Sequence, residues 1–152
     1  MNEAKYELKN WKKWKRTVQL LEETRDQLKD MKKGINIDTF SMPGSGHKST
    51  IEQMDKIIEQ CEQYDQLIEY YNFFINRLEK ALTELLDETQ REVCLIYANY
   101  KSFRQKEFEA IKKGYTTPTF YRILNDSCNL LNTVLSPTFE KNMRVKSNEN
   151  DI

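Results

Sequence analysis

Between Ile57 and Leu85 apolar side chains recur in strict four-three alternation: Ile57, Cys61, Tyr64, Ile68, Tyr71, Ile75, Leu78, Leu82 and Leu85. An α-helix that keeps a seven-residue spacing this long holds one stripe against a partner and winds into a left-handed seam. A strand would need a period of two, which the stretch lacks. Residues 51–86 are therefore expected to form one long coiled-coil-like helix, roughly 50 Å if unbroken. The seam is aromatic, with Tyr64 and Tyr71 on it and Tyr70, Phe73 and Phe74 beside it. Such a helix has more than one face to bury. One face can take the preceding helix as an antiparallel hairpin. Another is available to a second subunit, giving a homo-oligomer through the 51–86 helix.

The preceding helix is read from about Lys5 to Lys32, within an N-terminal segment 1–33. Trp11, Trp14, Val18, Leu21 and Leu28 step by three and four, with Arg25 interrupting the series. Two tryptophans beside a basic cluster can mark a helix that lies on a membrane or on nucleic acid. Here they share a stripe with Val18 and Leu21, which favours packing on a partner helix. Gly34 ends this helix. Residues 34–50 read as a flexible linker, because three of the four glycines and Pro43 fall in it. Gly44-Ser45-Gly46-His47-Lys48-Ser49 lacks the leading strand and the glycine spacing of a phosphate loop. His47 has no Cys, Asp or Glu at ligand spacing, so neither a metal nor a cofactor is expected.

Residues 87–135 read as three short helices, the last two joined by a tight turn. Asp87, with Gln90 three residues on, signals a capped start, and Val93, Ile96, Tyr97 and Tyr100 share a face. Ser102 is the next cap. Phe103, Phe108 and Ile111 are expected to give that helix its apolar contacts, with Ala110 allowing close approach. Gly114 after Lys112 and Lys113 suits a left-handed helix end. Thr117 is expected to cap the third helix, with Pro118 at its first position. Phe120, Ile123, Leu124, Leu131, Val134 and Leu135 supply its buried side. Ser136-Pro137 stops it. Residues 136–152 form a polar tail, with disorder expected beyond about Lys141.

Composition agrees with an all-α chain, a long helical hairpin followed by a three-helix helix-turn-helix domain. Four Gly and three Pro in 152 residues, with 32% charged, leave no alternating β-rich stretch. Net charge is zero but uneven. Lys5 to Arg16 holds six bases and one acid, Glu7, whereas Ile51 to Leu86 holds eight acids and three bases. The basic start and acidic middle are candidates to pair as packed helices. Cys61, Cys94 and Cys128 lack redox or zinc spacing, which suits free thiols in a reducing cytoplasm. No signal peptide is read, and no apolar run approaches membrane-spanning length. One His, no nucleophile elbow and no cofactor fingerprint give the expectation of a non-enzyme.

Residues in 87–135 resemble a known family. Arg91-Glu92-Val93, Tyr97, Gly114-Tyr115-Thr116 and Phe120-Tyr121-Arg122-Ile123-Leu124 are similar to the promoter-reading region four of bacterial sigma factors. They resemble more closely the phage late-transcription regulators of the ArpU/RinA type, which also tend to have a Gly/Ser/Pro-rich linker like Ser41–Gly46. The chain differs from that pattern at Ile96, Lys113 and Glu109-Ala110, where the family usually has Arg, an apolar residue and Ile-Ala. The resemblance implies a cytoplasmic protein of a bacterial host that binds double-stranded DNA and activates late genes, either by contact with RNA polymerase or by substituting for a sigma domain. The third helix would then enter the major groove by its N-terminal end. Thr117, Thr119, Tyr121, Arg122 and Asn125 point away from its apolar side. Arg122 is the candidate for guanine and Asn125 for adenine. Thr116 and Thr117, Lys112 and Lys113, and Arg104 and Lys106 are candidates for phosphate contacts. Two readings compete: a phage small terminase subunit, which would form a ring on packaging-site DNA, and a protein-binding module whose acidic tyrosine-rich helix is the docking surface.

Overall fold

The computed structural model describes residues 2–34 and 46–138, without the side chains of 46–49. Five helices follow in order: α1 Glu3–Gly34, α2 Gly46–Leu85, α3 Glu88–Asn99, α4 Phe103–Lys112 and α5 Thr117–Leu135. No strand occurs among the described residues, so the fold is all-α as the composition led us to expect. The long helix starts at Gly46, inside the stretch read as linker. A glycine is tolerated at a helix end, and nothing between it and Ile51 breaks a helix. The flexibility expected of the rest of the linker, residues 35–45, and the disorder expected beyond Lys141 lie outside the described residues.

The chain divides into two compact units, which cut both long helices. One unit is Trp14–Phe73. It pairs the later part of α1 with the earlier part of α2, burying Val18, Ile57, Cys61 and Ile68. Arg25, the interruption in the α1 stripe, donates to Asp65 at 2.9 Å, and the Cys61 thiol meets the Arg25 carbonyl at 3.9 Å.

The other unit joins the first turns of α1, up to Lys13, to the described residues from Phe74 onward. Its core holds Leu8 of α1, Leu78 and Leu82 of α2, Val93 and Tyr97 of α3, Ala110 of α4, and Phe120, Leu124 and Leu131 of α5. The seven-residue seam runs buried through Ile75, Leu78 and Leu82 and then shifts by one residue. Leu86 is buried and Leu85 is not, because the helix stops there and the chain turns into α3. Asn2 and Asn132 fasten the ends of this unit together. The Asn132 side chain accepts from the Ala4 N–H at 2.9 Å and donates to Asn2 Oδ1 at 3.0 Å.

Buried charge takes a different form from the pairing of blocks the sequence suggested. The acid of the basic start, Glu7, meets a base of the acidic middle: Arg77 donates to Glu7 Oε2 at 3.0 Å. Glu7 is fully buried, on the same helical face as Ala4 and Leu8.

Candidate nucleic-acid interface

Each of the three short helices begins on a side-chain cap. Asp87 accepts from the Gln90 N–H at 2.8 Å, and Gln90 Oε1 accepts from the Asp87 N–H at 3.0 Å, a complete capping box. Ser102 accepts from the Gln105 N–H at 3.1 Å. The cap of α5 is Thr116, one residue earlier than expected; Thr117 takes the first helical position and Pro118 the second. The Thr116 hydroxyl donates to Thr119 Oγ1 at 2.8 Å and accepts from the Thr119 N–H at 3.4 Å. Proline fits this first turn as well as it would one residue earlier, because N–H groups there have no helical acceptor.

The corner between α4 and α5 is a Schellman turn. The Tyr115 N–H reaches the Ala110 carbonyl at 2.9 Å, and the Gly114 N–H reaches the Ile111 carbonyl at 3.0 Å. Gly114 has φ +95°, and a Cβ built there would meet nothing within 4 Å. Only backbone strain therefore opposes a side chain. We expect Gly114→Ala to lose about 1–2 kcal/mol, the cost of a left-handed L-residue. Urea unfolding measures it, and an unchanged midpoint would mean that the corner is not as described.

Helices α3, α4 and α5 pack on one another. The face that α4 turns inward is not the one its apolar residues suggested. Phe103, Phe108 and Ile111 are 57%, 59% and 59% exposed, while Lys106 and Ala110 are buried. Ala110 sets this register: it is the small residue that admits close packing, and Lys106 sits one turn before it on the same side. Lys106, expected to hold a phosphate on the open surface, is instead 2% exposed. Its ammonium lies 3.8 Å from the centre of the Tyr97 ring and 5.1 Å from that of Phe103.

The other candidates divide into exposed and half-buried groups. Thr116, Arg122 and Asn125 are exposed, and Arg122 and Asn125 are three apart on one face of α5. Arg104, Lys112 and Lys113 are exposed on α4 and the turn. Thr117, Thr119 and Tyr121 are half-buried. The Tyr121 hydroxyl donates to Glu107 at 2.9 Å, and its ring meets Phe120 edge-on with centres 5.2 Å apart. Burial and the Glu107 carboxylate push its phenol up to about 12. Glu109 pairs with Lys112 at 3.5 Å.

Cys94 and Cys128 are sealed between α3 and α5, where burial pushes their thiols up to about 12 and about 11. They are protonated packing groups at neutral pH. No cluster of three or more metal-ligating side chains occurs among the described residues. No helix among them is long and apolar enough to cross a membrane. No family model, no curated protein and no solved structure matches this chain.

Proposed function

We propose that the chain is a sequence-specific DNA-binding transcription regulator of the phage late-gene type and not an enzyme. The observation that supports this most is the N-terminal half of α5. It leaves a Schellman corner with Arg122 and Asn125 exposed on one face, as a helix read into a major groove requires. Local charge supports the reading where net charge does not. Of the acids on α4, Glu107 is engaged by Tyr121 and Glu109 by Lys112. Lys101, Arg104, Lys113 and Arg122 are exposed and carry no ion pair among the described residues. Cations in such positions neutralise phosphates and fix register, while Arg122 and Asn125 read base edges.

Selection of bound duplexes from a random pool tests the proposal. One sequence class should be enriched, and binding should weaken steeply with salt. Arg122→Ala should then lose roughly tenfold to a hundredfold on the selected duplex, the worth of one bidentate base contact, and much less on unrelated duplexes. A pool that returns no preferred sequence at any salt sinks the reading.

The exposed Phe103, Phe108 and Ile111 of α4 favour a second reading, in which this helix docks on another protein. In the regulator, that protein would be RNA polymerase. In a pure interaction module it would be the whole function, and the duplex selection would return nothing. A closed ring in a mass measurement would point instead to a terminase-like packaging role.

A further inference from the structure

We propose that Lys9 of α1 and Lys106 of α4 together bind one phosphate oxyanion, in a site walled by Tyr97 and Phe103. The site lies within one compact unit and uses none of the α5 residues assigned to base edges, so it stands whether or not the chain binds DNA. Both ammoniums face the same two rings. Lys9 Nζ is 5.8 Å from the centre of Tyr97 and 5.9 Å from that of Phe103; Lys106 Nζ is 3.8 Å and 5.1 Å from them.

Two like charges brought together repel, and burial makes the repulsion stronger. Lysines are rarely buried without an acid partner. Lys106 is almost wholly buried, yet neither its ammonium nor that of Lys9 has a hydrogen bond or ion pair to any described residue. The ring faces offset part of that cost. Burial and Lys9 hold the Lys106 ammonium below the usual lysine range, so the charge is not fully compensated. Its nitrogen is not among the fully sealed polar atoms without a partner.

The missing component is an anion able to accept from two ammoniums at once. Phosphate fits, because its oxygens spread in several directions and it carries up to two negative charges near neutral pH. The first turn of α4 adds the positive end of its helix dipole within one turn of Lys106. A phosphodiester of nucleic acid and free inorganic phosphate share this chemistry.

Thermal unfolding in inorganic phosphate, against chloride at equal ionic strength, tests the site on the full chain. At phosphate ten times its Kd the folding equilibrium constant should rise about elevenfold. Lys9→Gln, at an exposed position, should fold normally and lose that gain. The Lys106 side-chain resonance should titrate at higher pH once phosphate is added. Phosphate no better than chloride, or an equal response from wild type and Lys9→Gln, overturns the proposal. A duplex arm separates the two sources. If Lys9→Gln also weakens duplex binding and reduces the salt slope by about one, the natural occupant is a backbone phosphodiester. If duplex binding is unchanged while the phosphate response is lost, the site serves free phosphate. A chain that binds no duplex but keeps the phosphate response retains this site and loses the DNA reading.

Discussion

Phe120→Ala is expected to cost about 3–5 kcal/mol, the usual loss when a fully buried aromatic is truncated in a packed core. Phe120 has no exposed surface and packs edge-on against Tyr121. Its own N–H closes the first turn of α5 on the Thr116 carbonyl at 2.8 Å. Truncation leaves a cavity where α5 meets α3 and α4, and few neighbours are free to fill it. Against a total stability of about 5–15 kcal/mol, that loss takes a fifth or more of the fold's margin. Phe108→Ala is the control. The same atoms leave a side chain that is 59% exposed, so the change should stay within about 0.5 kcal/mol. Urea unfolding of both variants decides the matter. A Phe108 variant that loses as much as the Phe120 variant would place Phe108 in the core and overturn the register assigned to α4.

Those two phenylalanines show what the sequence could and could not convey. Phe120 was legible because α5 repeats apolar residues at helical spacing, and a buried stripe is the main cause of such a pattern. The caps at Asp87 and Ser102 and the glycine corner were legible for a more local reason. Each is a short-range bond between a side chain or backbone group and a neighbour a few residues away. The long helix was legible from its seven-residue repeat, although it begins several residues earlier than expected and its buried stripe shifts at Leu86. The inward face of α4 is not legible, because the helix is only 10 residues long and its three large apolar groups do not share one narrow face. Hydrophobicity pointed to Phe103, Phe108 and Ile111, but backbone proximity decided the outcome. Ala110 was the signal, since a small residue marks the contact side and Lys106 lies one turn earlier on it. Tyr121 has the sequence position of a free polar group, and its bond to Glu107, fourteen positions away, is a tertiary fact that no local pattern encodes. The Glu7–Arg77 pair is of the same kind, at a separation of 70 residues. Its one clue was an acid between Ala4 and Leu8 on an otherwise apolar face.

That pair should make the fold less stable in alkali than in mild acid. Glu7 is fully buried, its Oε1 has no partner, and Arg77 serves only Oε2. Burial pushes its carboxyl from 4.5 up to about 7, and the Arg77 guanidinium only partly opposes this. A carboxyl raised in this way holds its proton more tightly when folded than when unfolded. Between about pH 4.5 and about 7 the folded chain therefore binds more protons than the unfolded chain. Stability from this group is complete below that window and falls as pH rises through it. The size of the shift corresponds to roughly 3–4 kcal/mol above pH 7. Glu7→Gln isolates the effect, because an amide oxygen still accepts from Arg77 and never acquires charge. The variant should match wild type near pH 4.5 and exceed it by roughly 3–4 kcal/mol at pH 8, by the same linkage. Urea midpoints at the two pH values measure the difference. If Glu7→Gln is instead weaker than wild type at pH 8, the carboxylate is ionised against Arg77 throughout. The ion pair would then outweigh the cost of its own burial.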